Sequence, residues 1–595
     1  MKSFETFTEL VLQRTSDLPT KDAFIFLHDN ASSSDVERLT YAALDAEAKR
    51  IASWLQQHGA SGGQVLLLYP SGLDFIKAFT ACLYAGAVAV PAPLPGDQGN
   101  HFARVTGILL DAEVRAVLTD SANEPNISAW LREAGITNVA VLAGDAPDQG
   151  DAAAWTAPEL TGDSLAFLQY TSGSTSTPKG VMVSHRNLLA NELAIRNALG
   201  GHQDTRLGGW LPFYHDMGLI GHILQPLYLG GSAALMSPIS FLKRPLRWLQ
   251  MITEHRVTAG GGPNFGYDLC LRRVTDEQLA TLDLSSWEQA GNGAEPIRPE
   301  TVRAFTERFA PAGFRAEAFF PCYGMAETTL LVSGTPLGQA PVYREVDAAA
   351  LEQGALADAS DAGVRTLVSS GVITDFDVRI VDPESFVEQP EGHVGEIWVK
   401  GDSVAEGYWK RPEVNEEIFT AVLRPSADPE AAGEAGWLRT GDLGALEEGQ
   451  LYVTGRLKEM ILINGRNIYP HDVERRVQSS GPAFGVGGGA AFSVDDGEEH
   501  LVLVQEIRPN AASAEDLPAL LASVRALISR EFQVNGSVLL VRPGTIRKTT
   551  SGKIQRTLMR KLLIEGKVTP LLELVEERVA AQIASRVDAV LEPVG

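Results

Sequence analysis

The sequence predicts an α/β protein with a large N-terminal domain, built of mixed sheets and a β-rich subdomain, and a small α/β domain at the C-terminus. Three observations carry this reading. Apolar strand-like runs alternate with amphipathic helical stretches from residue 40 onward, the order expected of parallel strands joined by helices. Strand patterns crowd together after Phe376, and mixed patterning returns after Arg456. The length of 595 residues is several times the ~150 of an ordinary domain.

The elements follow in order. Thr40 to Gly59 is a helix in which Leu44, Ala48, Ile51 and Leu55 form the apolar stripe, Thr40 caps the start and Gly59 ends it. QVLLLY, from Gln64, is a continuous apolar run suited to a strand covered on both faces. Gly72 to Tyr84 reads as a helix and Ala87 to Val90 as a short strand. Further strands are predicted near Ala116–Thr119, Val139–Leu142 and Ser164–Tyr170. Beyond Phe376, the segments DVRIVD, GEIWVKG and LYVTGR are strands, and residues 424–436 form a polar loop. LVLVQEI then reads as a strand and Leu517–Phe532 as a helix. The boundary is placed at 457/458, giving domains 1–457 and 458–595.

Composition excludes several functions. A net charge of −25 repels nucleic acid and anionic membranes, so an anionic ligand has to be met by locally concentrated positive groups. Cys82, Cys270 and Cys322 lie far apart, without metal-like spacing. With an N-terminus unlike a signal peptide, they predict a cytoplasmic protein. Two uncharged stretches, Ala78–Pro95 and Leu219–Leu242, are long enough to span a bilayer. Their prolines and glycines fit buried strand–turn segments instead, and no membrane span is expected. Gly485 to Ala490 matches a loose dinucleotide-binding pattern but precedes a strand rather than a helix, so it is set aside.

The sharpest local signal is YTSGSTSTPKG, Tyr170 to Gly180, directly after an apolar strand. Its glycines admit backbone N–H groups to a phosphate, its hydroxyls donate further hydrogen bonds, and Lys179 adds charge. It is not a Walker A loop. Six more motifs follow in order: Trp210 to Gly218 (WLPFYHDMG), Asn292 to Pro296 (NGAEP), Tyr323 to Glu327 (YGMAE), Thr440-Gly-Asp442, Gly455-Arg456-Leu-Lys458 and Ser551-Gly-Lys553-Ile. This set resembles the adenylate-forming superfamily of acyl-CoA synthetases, luciferases and peptide-synthetase adenylation domains. LPFYHDMG, GGPNFGYDLCLRR and AFFPCYGMAETTLLVSG most resemble the fatty-acyl-AMP ligases.

The resemblance implies ATP as a substrate, Mg²⁺, and a role for each matching residue. Thr171, Ser172, Gly173, Ser174, Thr175 and Lys179 would hold phosphates. Gly293, Ala294, Tyr323 and Gly324 would form the adenine shelf, with Glu295 and Met325 among the nucleotide-binding residues. Asp442 would bind the ribose hydroxyls with Arg456 beside it. Glu327 would hold the metal, His215 would stand where the nucleotide and acyl pockets join, and Asp216 would be among the nucleotide-binding residues. Lys553 would act on the reacting oxygens, and Lys458 would be the hinge of the small domain.

The resemblance also implies an acceptor. Residues 343–370 occupy the place of a fatty-acyl-AMP-ligase insertion, which in the family impedes use of coenzyme A and leaves the phosphopantetheine thiol of an acyl carrier protein as acceptor. A fatty acyl-CoA synthetase and a non-catalytic acyl-nucleotide sensor are the alternatives, and retention of Lys553 and Glu327 disfavours the sensor. From Arg542 to Lys567 basic residues face one acid, Glu565. Arg556, Arg560 and Lys561 are expected there to steer an acidic carrier protein. Val575, Val579, Ile583 and Val587 form an apolar stripe in a C-terminal helix.

Overall fold

Covered apolar runs become parallel strands, and the helices between them seal both faces. In the computed structural model, which describes residues 4–29, 36–95, 99–171, 178–359, 363–426, 432–463, 466–549 and 552–583, a first sheet runs Ala140–Ala143, Ala116–Thr119, Gln64–Leu67, Val88–Pro91, Leu165–Thr171 and Lys179–Ser184. Its members are parallel except the last pair, an antiparallel hairpin. Helix Tyr41–Gln57 is capped by Thr40, whose side chain accepts from the Ala43 N–H, and Leu73–Ala85 follows as predicted.

A second sheet supplies the floor of the site. Asp22–Leu27, Ser232–Met236, Arg206–Gly209, Ala259–Gly262, Gln289–Asn292 and Phe319–Gly324 lie side by side and parallel. The sheet then turns antiparallel through Leu331–Gly334, Val372–Ile373, Gln450–Arg456, Glu434–Glu447, Gly395–Lys400 and Asp377–Val381. This antiparallel half is the predicted β-rich region. The predicted loop 424–436 is shorter than expected, because the long strand already begins at Glu434 and pairs with Ala421–Leu423.

Residues from Ile461 onward build two apolar cores of their own on either face of a four-stranded sheet, Phe484–Asp495, Glu499–Ile507, Gly536–Val541 and Leu572–Leu574. The glycine run 485–490 lies inside the first of these strands, with no helix after it to receive a pyrophosphate. Helix Leu517–Phe532 has the predicted bounds. Val579 is buried, with Val575 and Ile583 packed around it, while Val587 lies outside the described residues.

Segment 343–370 folds as a unit. Tyr343–Asp347 pairs with Val364–Val368 in a two-stranded sheet and bridges Asp358 through Val346, with helix Ala348–Glu352 following the first strand. Its Val346, Leu351 and Leu356 pack with Leu443, Tyr452 and Tyr469. Among the described residues, no helix is long and apolar enough to cross a membrane.

Candidate active site

The floor strands end in backbone shaped for close approach. After Gln289–Asn292 the chain passes Gly293, where a Cβ would lie 2.8 Å from Cys322 Sγ, and Ala294, which is left-handed at φ 66°. The next strand ends at Gly324, where a Cβ would lie 1.7 Å from the Leu330 carbonyl oxygen. This exposed main-chain shelf suits a planar ring better than side chains would.

Asp442 is buried beside it with both carboxylate oxygens held. Tyr323 Oη donates to Oδ2 at 2.9 Å and Arg456 Nε donates to Oδ1 at 2.8 Å. The two strands that carry the pair put Asp442 directly opposite Arg456, so the bridge is fixed by sheet register. The Asp442 charge raises the Arg456 guanidinium above its already high value. Glu396 accepts from Trp398, Arg439 and the Gly441 N–H, which braces the turn before Asp442.

Glu327 sits in the single turn Ala326–Thr328, and its Oε1 accepts from Tyr408 Oη at 2.7 Å. Burial pushes its carboxyl up from the usual range against that hydrogen bond. The Lys179 ammonium lies 4.8 Å from the centre of the Tyr408 ring. Burial lowers the Lys179 pKa, with nearby Lys458 acting in the same sense and Glu327 against it. One tyrosine therefore links the basic end of the phosphate turn to the buried carboxylate.

At the junction with the apolar half, His215 Nδ1 lies 2.5 Å from Asp216 Oδ1, which also accepts from the Met217 N–H at 2.7 Å. Burial alone would raise the Asp216 pKa, but His215, this N–H and Lys553 outweigh it and hold the carboxyl at about 2. Glu295 Oε1 accepts from the Phe265 N–H at 2.6 Å, at the first turn of helix Asn264–Arg273. Burial raises the Glu295 carboxyl while Arg298 and Lys553 pull it down.

Lys553 comes from the small domain. It stands on a hairpin closed by Thr549, whose N–H donates to the Lys553 carbonyl at 2.8 Å and whose Oγ1 accepts from the Lys553 N–H at 3.0 Å. Adjacent Gly552 is left-handed, and a Cβ there would lie 2.9 Å from the Phe265 ring. The hairpin thus rests on the helix that Glu295 caps.

One cavity of about 1500 Å³ gathers these groups. Thr171, Lys179, His215, Asp216, Gly293, Ala294, Glu295, Tyr323, Gly324, Met325, Glu327, Asp442, Arg456, Lys458 and Lys553 all line it. Ser172, Gly173, Ser174 and Thr175 lie outside the described residues. Tyr408, Glu396 and Phe265 escaped the sequence reading, because each acts through a partner distant in the chain.

The basic segment requires a correction. Arg556 does not face solvent to steer a partner: it donates to Glu474 at 2.7 and 2.8 Å and to Glu459 at 2.6 Å. Arg560 Nε is buried without a partner, and Lys561 remains exposed, 3.8 Å from Glu565. Counting charges along the chain could not show that Glu474, far away in sequence, claims the arginine.

Residues 13–409 match the family model described as AMP-binding enzyme. The chain is 42% identical to the medium-chain-fatty-acid–[acyl-carrier-protein] ligase JamA of Moorena producens, over 95% of this chain and 96% of that protein. It is 39% identical to the long-chain-fatty-acid–AMP ligase FadD26 of Mycobacterium marinum, over 92% and 95%. The chain belongs to the fatty acyl-AMP ligases, within the AMP-binding enzymes. Like this chain, the fatty acid AMP ligase of Legionella pneumophila has the same fold: its crystal structure superposes with a TM-score of 0.73 at 37% identity, covering 96% of this chain and 98% of that one. As a member of the fatty acyl-AMP ligases, this protein is an enzyme of the acid–thiol ligase class.

Proposed function

We propose that this enzyme joins a fatty acid to AMP and then passes the acyl group to the phosphopantetheine thiol of an acyl carrier protein. The observation that carries the first step is the convergence of Lys553, Asp216, Glu327 and Lys179 on one cavity that is also lined by apolar residues such as Met217, Leu330 and Leu331. A carboxylate oxygen attacks the α-phosphorus of ATP, the bond to the bridging oxygen breaks, and pyrophosphate leaves. Both reactants are anionic, so positioning and preorganised positive charge do most of the work. Lys553 supplies that charge at the reacting oxygens, Lys179 at the phosphates, and Asp442 with Arg456 orients the ribose. His215 holds its place through Asp216 at the wall between the two pockets.

The residues present fit Mg²⁺. Glu327 is a buried carboxylate with one oxygen satisfied by Tyr408, and no group of three or more His, Cys, Asp or Glu able to hold a metal occurs among the described residues. That donor set suits an ion held largely by substrate phosphates and water. When bound, the metal neutralises phosphate charge. Glu327 would hold it, and Tyr408 would keep the carboxylate aimed.

In the second half-reaction the carrier thiol attacks the acyl carbonyl, loses its proton, and AMP departs. We assign residues 1–457 to the AMP- and acyl-binding domain and 458–595 to the lid, with Lys458 in the single turn Leu457–Glu459 as hinge. Support for a carrier rather than coenzyme A comes from segment 343–370, which ties the lid down. Arg466 Nε donates to Glu352 at 2.8 Å, and Arg365 pairs with Asp472. Three free cysteines and the absence of any paired one fit work in a reducing cytoplasm. The test is release of pyrophosphate and AMP from ATP, Mg²⁺ and fatty acids of graded length. Release of ADP, or no nucleotide turnover with any acid, contradicts the reading.

A further inference from the structure

The apolar half of the cavity contains two polar side chains that the protein leaves unanswered. Its floor is a row of glycines across three parallel strands: Gly261 pairs with Gly291, and Gly209 stands level with them in the neighbouring strand, two residues beyond the Leu207–Ala259 pair. His222 lies against this floor. A Cβ at residue 209 would be 2.2 Å from the imidazole Cε1, so glycine there is what admits the ring. The ring is 4% exposed, and its Nδ1 has no hydrogen-bond partner. It is carried on the π-helical turn Ile220–Leu224, a backbone irregularity that re-aims side chains.

Gln289 is the second. It is 3% exposed, and its Nε2 has no partner. It begins the strand Gln289–Asn292 and lines the same cavity as His222. Four residues separate it from Gly293 at the nucleotide shelf, about 13 Å at ~3.3 Å per residue, so it stands deep along the acyl path. Trp210 Nε1 and Asn292 Oδ1 beside this sheet are unpaired as well, whereas two other neighbours are satisfied. Tyr267 Oη donates to the Gly291 carbonyl at 2.7 Å, and Asn264 bonds Thr301 and the Arg298 N–H.

Buried donors and acceptors in folded proteins are nearly always paired. Two unpaired ones in the wall of a substrate cavity, among apolar neighbours such as Met217 and Leu330, point to a partner on the substrate. We infer that the acyl chain accepted by this enzyme carries an oxygen substituent, a hydroxyl or oxo group, far from its carboxyl end, recognised by Gln289 and His222. Gln289 donates to that oxygen. His222, kept neutral by burial at a pKa of about 4, offers one donor and one acceptor. This inference rests on the acyl-adenylate reading above and narrows its substrate class.

The test is pyrophosphate release by the intact enzyme with length-matched acids, either unsubstituted or with a hydroxyl or oxo group moved along the chain. One substituted position distant from the carboxyl should exceed its unsubstituted counterpart in kcat/KM by about tenfold or more. Gln289→Leu and His222→Leu should bring that ratio toward one, lowering turnover of the substituted acid and raising that of the plain one. Turnover of plain acids with no preference at any position overturns the inference and leaves acyl-adenylate formation standing. A preference that survives both substitutions overturns the assignment to these residues. No turnover of any acid overturns the underlying reading instead. The wild-type series decides the preference whether or not the variants fold.

Discussion

The floor of the active site and its lid are built differently. On the floor, two functional carboxylates are buried and held by donors of the large domain: Asp442 by Tyr323 and Arg456, Glu327 by Tyr408. On the lid, Lys553 is exposed, on a hairpin that meets the floor through Gly552 against Phe265. Buried hydrogen-bonded groups stay put because moving them leaves polar atoms unsatisfied. A lysine on an exposed hairpin can leave without that cost. Under the proposed function, the rigid part positions the nucleotide while the removable part delivers the charge that completes the reaction.

The strongest way to break this comparison is to delete the delivered charge. Lys553→Ala should lower adenylation by ~10²–10³ and leave the melting temperature unchanged, because the side chain is exposed. Assays of pyrophosphate release beside thermal denaturation check both halves. A folded variant with near-normal turnover would remove Lys553 from the chemistry.

The floor is tested through Tyr408. Its hydroxyl stabilises ionised Glu327, whose carboxyl is already raised by burial. Protonation of a raised carboxyl on acidification removes its charge, so activity falls as pH drops. Tyr408→Phe takes away a pKa-lowering hydrogen bond and should move that acid limb to higher pH, with a loss of about tenfold near neutrality. A pH profile of kcat/KM with an unmoved acid limb contradicts the assigned link.

How much of this was legible in the sequence follows the same division. Thr440-Gly-Asp442 and Gly455-Arg456 lie in short words whose strands pair directly, so local sequence carried the floor's nucleotide end. The alternating pattern likewise gave the parallel sheets and the β-rich half, since burial on one or both faces writes itself into periodicity. Tyr408 was not legible: its partner is 81 residues away, and only the fold brings the two together. Nor was the fate of Arg556, whose charge is spent on Glu474 and Glu459 inside the lid. Sequence shows that charges exist, whereas burial decides which remain available.

Two smaller effects sharpen the picture of the lid. Lys458 lies in a tight turn whose φ proline can adopt, so Lys458→Pro should hold the lid in the arrangement seen here. Thiol transfer should then drop several-fold more than adenylate formation, measured as separate half-reactions. Equal loss in both would remove the hinge from residue 458. Glu352→Gln weakens the tie between segment 343–370 and Arg466. It should raise acyl-CoA formation by a few-fold at most, because Arg365–Asp472 still braces the lid. Product analysis with coenzyme A as sole acceptor would show it, and an unchanged product would mean that the segment does not act through this pair.

The most direct measurement offers the wild-type enzyme a fatty acid, ATP and Mg²⁺ with equal concentrations of coenzyme A and phosphopantetheinylated carrier protein, and follows both acylated products. The account predicts acyl-carrier protein as the dominant product, with AMP released in equal amount. Acyl-CoA as the dominant product would contradict it.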